Sequence, residues 1–215
     1  MTDDRRVLRE LVGAHGRTYA EEAGVRLRDT PQPLYQLLVL AHLLSARIRG
    51  SVAVAAAREL YGAGMRDPKR MADATWQQRV DALGRGGYRR YDERTATQLG
   101  DGAALVTERW GGDLRRMREA ADGDVEELRR LLQEMPGVGP AGADIFVREV
   151  QRVWPEFAPY LDGKALQGAE RLGLPKDPGR VAELAGDTEP AVLAAALVRA
   201  SLDKEVVEDS LHRAA

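Results

Sequence analysis

Residues 135–146 read MPGVGPAGADIF, and the fold turns on what the segment PGVG does at 136–139. The chain before it, GDVEELRRLLQEM, has the marks of a helix. Asp124 is a candidate N-cap, Glu126 and Glu127 suit the positive end, and Leu128, Leu131 and Leu132 form an apolar stripe. The chain after it, PAGADIFVREVQRVW, starts with Pro140 at a natural first helical position. PGVG therefore joins two helices as a hairpin. Gly137 and Gly139 permit a turn with φ > 0 and strip side chains from its outer face. The amides of Gly137, Val138 and Gly139, and of Ala141 in the next helix, can then point outward with the helix dipole behind them. Such a nest suits a phosphate oxygen and reads a nucleic-acid backbone rather than its sequence. The same residues also suit a plain glycine C-cap followed by a proline restart, with no ligand.

Working outward, helical spacing recurs along most of the chain, and alternating β-branched runs are absent. RRVLRELVGAH opens with apolar residues Val7, Leu8, Leu11 and Val12. PLYQLLVLAHLL (33–44) is apolar nearly all round, as a central buried helix would be. A helix begins near Ser51 and stops at Gly62 and Gly64, and Thr75 is a candidate N-cap for another. The segment 89–110 reads as a long helix interrupted or bent around Gly100–Gly102. The segment 155–161 reads as extended, and 189–211 as one closing helical segment. About ten helices result from this reading, and the chain ends are expected to pack together.

The 215 residues suit one large domain or two small ones, and 44% hydrophobic residues can build a core. No run approaches the ~18 apolar residues of a membrane span. The charged start, MTDDRRVLRE, lacks the apolar stretch of a secretory signal. The absence of cysteine excludes disulfides, thiolate zinc sites and iron–sulfur clusters bound by this chain. A cytoplasmic location is expected, nucleoid-associated if the source is bacterial. Net charge is −2, so any basic signal must come from distribution. Only Lys69, Lys164, Lys176 and Lys204 are lysines among the 32 basic residues. That arginine bias fits a GC-rich genome, so arginine number alone says little.

Four elements in order, from about residue 30 to 174, resemble the helix–hairpin–helix DNA glycosylase superfamily typified by endonuclease III. PLYQLLVLAHLLSARIRG is similar to its central helix, which ends in an apolar-Ser-Ala-Gln pattern. LGRGGYRRYDERTATQL is similar to its Gly-apolar-Tyr segment and the Lys- or Arg-bearing helix that follows. LLQEMPGVGPAGADIF resembles its Leu-Pro-Gly-Val-Gly hairpin, and FAPYLDGKALQGAERLGL its Val-Asp-Thr-His segment. The resemblance implies an all-α, two-lobed fold, with residues 30–137 as a helical barrel-like lobe leading into the hairpin. Residues 1–29 with 138–215 would form the second lobe, with duplex DNA crossing the cleft between them.

Carried over by position, the resemblance makes Asp162 the catalytic aspartate. Breaking an N-glycosidic bond builds positive charge on the sugar, which a carboxylate stabilises while orienting a water. Asp162 is equally an N-cap for a helix starting near Gly163, and one residue can do both. The lysine nucleophile of the bifunctional members falls on Ala141, which has no amine. Lys164 is the nearest lysine in sequence and a surface or phosphate-touching candidate. The family's gap-filling glutamine falls on Arg47, and its wedge near Gly87, with Tyr88 next; Tyr88 is also a core candidate. Arg85, Arg89, Arg90 and Arg94 form a tyrosine–arginine cluster suited to phosphates or to a solvated helix start. Trp76, Trp110 and Trp154 are read as core or semi-buried, and His42 as a hydrogen-bonded core residue. No metal constellation stands out, though a monovalent ion could sit in the hairpin turn.

The expected function is monofunctional excision of a damaged base from duplex DNA by a monomer, with no cofactor and no membrane contact. A non-catalytic lesion-binding protein and a bifunctional glycosylase/lyase using Lys164 are the alternatives.

Overall fold

A computed structural model describes residues 4–215; residues 1–3, part of the expected 1–29 segment, lie outside the described residues. The chain is all-α, as expected. The described residues form fourteen α-helices, a single 3₁₀ turn at Pro155–Phe157 and no strand. Among them no helix is long and apolar enough to cross a membrane.

The chain divides into two compact units. One comprises the residues up to Tyr19 together with Arg148–Ala215; the other is Ala20–Val147. This division keeps residues 20–29 and 138–147 with the central unit, where the sequence expectation drew its boundaries at 30 and 137.

The central unit is built around α3 (Pro31–Leu44). Its nine buried residues, Leu34 to Leu43 with only Gln36 excepted, explain why the segment is apolar on every side. α4 (Gly50–Gly62) packs on α3 with its alanine face, Ala53, Ala56 and Ala57. α6 (Trp76–Arg85) is started by a capping box: Thr75 accepts from the Gln78 amide, and the Gln78 side chain accepts from the Thr75 amide. α5 (Pro68–Asp73) begins at Asp67, whose side chain accepts from Arg70 N.

α7 (Asp92–Trp110) runs unbroken through Gly100–Gly102, where an interruption was expected. A packing contact explains the glycine. The Arg79 guanidinium lies against Gly100, so that a Cβ there would stand 2.7 Å from Nη2. Arg79 is buried and donates to the carbonyls of Met71, Ala74 and Ala96, tying together α5, the loop after it and α7. α8 (Arg115–Ala121) follows.

The other unit packs α1 (Asp4–His15) against α12 (Pro178–Ala185), α13 (Pro190–Leu202) and α14 (Lys204–Ala214), so the chain ends do meet. Its core joins Val7, Leu8 and Leu11 to Leu193 and Leu197. The segment 189–211 is two helices, not one. Asp203 ends α13 and caps α14 by accepting from Glu205 N at 2.9 Å. α11 (Gly163–Arg171) crosses α13 so closely that Gly168 faces the carbonyl of Leu197 with no room for a side chain. The segment expected to be extended contains the 3₁₀ turn and a cis Ala158–Pro159 bond.

Candidate nucleic-acid interface

The hairpin forms where the sequence places it. α9 (Val125–Leu132) is capped by Asp124, which accepts from the amides of Glu126 and Glu127, and α10 (Pro140–Val150) starts at Pro140. Gly137 has φ +83°, a conformation only glycine adopts without strain. Arg129 of α9 donates to Asp144 of α10 at 2.7 Å and holds the two arms together.

The amides of this turn divide into two sets. Val138 N donates to Met135 O and Ala143 N to Gly139 O, both at 3.0 Å. Among the described residues, the amides of Gly137, Gly139 and Ala141 make no backbone hydrogen bond. Gly137 and Ala141 are also exposed. Val138 therefore departs from the expectation: its amide is spent inside the turn and its side chain is buried. It anchors the hairpin, and the amides of Gly137, Gly139 and Ala141 are left without a backbone partner among the described residues.

A pocket of about 290 Å³ opens beside this turn, within the central unit. Its walls come from the end of α3 (His42, Ser45, Ala46, Arg47), from Tyr88 and Tyr91, from α7 (Arg94, Thr95, Gln98) and from Gly137. Positions 91, 94, 95 and 98 recur at helical spacing, so the start of α7 turns one polar face to the cavity. His42 Nε2 lies 3.2 Å from Gln98 Oε1. Gly137 rests on that pair, and a Cβ there would stand 2.5 Å from both atoms. Burial pushes His42 down to about 4, and the nearby Arg94 charge adds to the effect. Its imidazole is neutral at neutral pH. An amide oxygen can only accept, so His42 Nε2 carries the proton.

The cations expected at this face are present and exposed. Arg47, Arg89, Arg90 and Arg94 are all solvent-facing. Among the described residues none of the four is paired with a carboxylate. The Arg90 guanidinium lies 5.3 Å over the Tyr91 ring. Arg85, counted in the same cluster, instead pairs with Glu59 at 2.8 Å.

Tyr88 differs from its expected role as a wedge. It is 2% exposed, and burial raises its phenol pKa against a hydrogen bond with Thr95. A ring held in the core cannot lever apart a base stack, although its edge lines the pocket. Trp76 also departs from expectation. It is 41% exposed, with Nε1 donating to Glu93 O and Thr97 Oγ1. Trp110 and Trp154 are buried as expected.

Asp162 lies in the other unit. Its Oδ1 accepts from Ala165 N at 3.2 Å, making it the N-cap of α11. Its Oδ2 accepts from Arg148 Nη1 at 2.8 Å, and the two side chains are only 8% and 9% exposed. Nothing in the sequence pattern marks Arg148, which sits in the last turn of α10. Lys164, two residues on, donates from Nζ to Gln167 Oε1 at 2.8 Å. Tyr91 and Gln98 at the pocket, and Arg148 beside Asp162, are residues that no motif announced. For Tyr91 and Gln98 the helical spacing with Arg94 is the signal that could have found them. No group of three His, Cys, Asp or Glu side chains able to hold a metal ion occurs among the described residues.

No family model matches this sequence, and no curated protein matches it. Among solved structures it resembles one described as a trapped endonuclease III–DNA covalent intermediate in an estranged-adenine complex. The TM-score is 0.48 and the identity 16%, over 91% of this chain and 84% of that one. At that level the likeness assigns no role to any residue here.

Proposed function

We propose that this chain is a DNA glycosylase that hydrolyses the bond between a damaged base and deoxyribose in duplex DNA, without lyase chemistry. One observation carries the reading. The hairpin turn, with its open amides, sits directly on the floor of a nucleobase-sized pocket rimmed by unpaired arginines. Open amides and arginines suit phosphates, and a pocket beside them suits a base taken out of the stack.

In the proposed reaction the C1′–N bond breaks and its electron pair leaves with the base. The sugar becomes cationic at C1′, water adds there, and one proton is lost. Asp162 would stabilise the cation and orient or deprotonate the water. Arg148 and the Ala165 amide fix the carboxylate in place. Position 141, where an amine nucleophile would stand by resemblance, is alanine, so the product would be an abasic site. The proposal includes no cofactor, and a monovalent ion on the turn carbonyls would serve only phosphate binding.

A second reading, a lesion-binding protein without turnover, is favoured by one fact: both Asp162 oxygens are already engaged and nearly buried. Incubation with single-lesion duplexes followed by alkali separates the two. Strand breaks seen only after alkali support the glycosylase, and borohydride trapping would support Lys164 as nucleophile. Asp162→Asn keeps a capping side chain and should lower cleavage by roughly 100-fold or more with duplex binding unchanged. Binding without product from any lesion would leave the second reading.

A further inference from the structure

The pocket beside the hairpin has a chemical bias that bears on which base it takes. No aspartate or glutamate lines it. The acids nearest in sequence, Asp92 and Glu93, lie in the first turn of α7, where Asp92 accepts from the Glu93 amide. Two of the lining side chains, Arg47 and Arg94, carry full positive charge and can only donate hydrogen bonds. At the floor, the bond from His42 Nε2 occupies Gln98 Oε1 and leaves the Gln98 amide nitrogen as a donor with no partner among the described residues. Tyr88 and Tyr91 bring aromatic atoms to the lining. The cavity is thus positive and donor-rich, with aromatic surface.

We infer that this pocket selects neutral bases rich in carbonyl oxygens, the chemistry of deaminated and oxidised bases, and rejects cationic alkylated purines. The inference rests on the reading that the hairpin face engages duplex DNA. A carbonyl edge meets the Gln98 amide and the guanidinium donors, and its ring lies against tyrosine. A methylated purine brings its own positive charge into a lining with two arginines and no carboxylate, and finds repulsion. A phosphate would also suit the arginines and can accept from the Gln98 amide, but it gains nothing from aromatic surface, and competition with inorganic phosphate separates the two. Gly137 fixes the floor: with no space between it and the His42–Gln98 pair, seating of the hairpin and orientation of the amide are one arrangement.

The test uses the full chain and duplexes identical except at one base: uracil, hypoxanthine, 7-methylguanine or the undamaged partner. Binding is followed by fluorescence anisotropy, and excision by alkali cleavage. The uracil or hypoxanthine duplex should bind roughly 10-fold or more tightly than the 7-methylguanine duplex. Gln98→Leu should remove most of that roughly 10-fold preference, read as the ratio of uracil-duplex to 7-methylguanine-duplex affinity within the variant itself. Gln98→Glu, which places an acid on the floor, should shift preference toward 7-methylguanine. Equal binding of all duplexes by the parent chain, or preference for 7-methylguanine, overturns the inference. So does millimolar inorganic phosphate that abolishes the lesion preference while undamaged duplex stays bound. Because preference is read by binding, it survives a failure of the glycosylase reading. Absence of breaks from every duplex removes the enzyme and leaves the pocket assignment standing or falling on anisotropy.

Discussion

His42 shows how one residue takes its properties from its surroundings. It sits in an apolar helix, 7% exposed, with its ring against Gln98. Its folded value of about 4 lies below the ordinary 6.5, so the fold prefers the neutral ring. The unfolded chain then binds more protons between those two values, and stability rises with pH there. The contribution is complete above about pH 6.5 and is lost as pH falls toward 4, by roughly 3 kcal/mol. Arg94 from α7 deepens the shift, while the Gln98 hydrogen bond opposes it. His42→Gln should flatten this part of the profile, measured as urea-unfolding free energy at pH 7.5, 6, 5 and 4.5. Parallel profiles for the two proteins would mean that His42 titrates normally. Asp162 makes the complementary point. Its buried partner Arg148 means that loss of the carboxylate strands a cation, a larger penalty than loss of the pair itself.

Among elements, α7 best separates propensity from packing. Two glycines in a helix interior cost about 1 kcal/mol each relative to alanine, which is why a break at Gly100–Gly102 was the natural expectation. The helix continues because Gly100 makes room for the Arg79 guanidinium, and three backbone carbonyls depend on that guanidinium. Gly100→Ala gains helix propensity of about 1 kcal/mol but drives a methyl to 2.7 Å from Nη2. Nε and Nη1 hold the three carbonyl acceptors, so shifting the guanidinium to relieve Nη2 strains those bonds. The net result should be destabilisation by about 1–2 kcal/mol in chemical denaturation. A more stable variant would show that Arg79 is free to move. The hairpin follows the same logic with fewer demands: Asp124, Pro140 and the Arg129–Asp144 pair build it locally.

For the whole molecule, a net charge of −2 hides an arginine-rich face on the central unit. If that face holds phosphates, binding to undamaged duplex must weaken as salt rises, since each neutralised phosphate releases a counterion. Arg47→Ala, Arg89→Ala, Arg90→Ala and Arg94→Ala should each reduce the slope of log K against log salt by about 1. Anisotropy titrations between about 50 and 200 mM salt measure this. Arg85→Ala, whose side chain already pairs with Glu59, should leave the slope unchanged. Four unchanged slopes for the face arginines would place the DNA contact elsewhere.

Helix class, the hairpin, the caps at Thr75, Asp124 and Asp162, and the burial of α3 were legible in the sequence. Each depends on neighbours within a turn or two, where spacing and residue type decide the outcome. What the sequence could not carry were the pairings across tens of residues. His42 with Gln98, Arg79 with Gly100, Arg148 with Asp162, and Tyr88 turned into the core all depend on which helix faces meet. Those meetings are settled by packing of whole elements, and only the tertiary structure decides them, because side-chain volume and buried hydrogen bonds select one arrangement among many that local propensity allows.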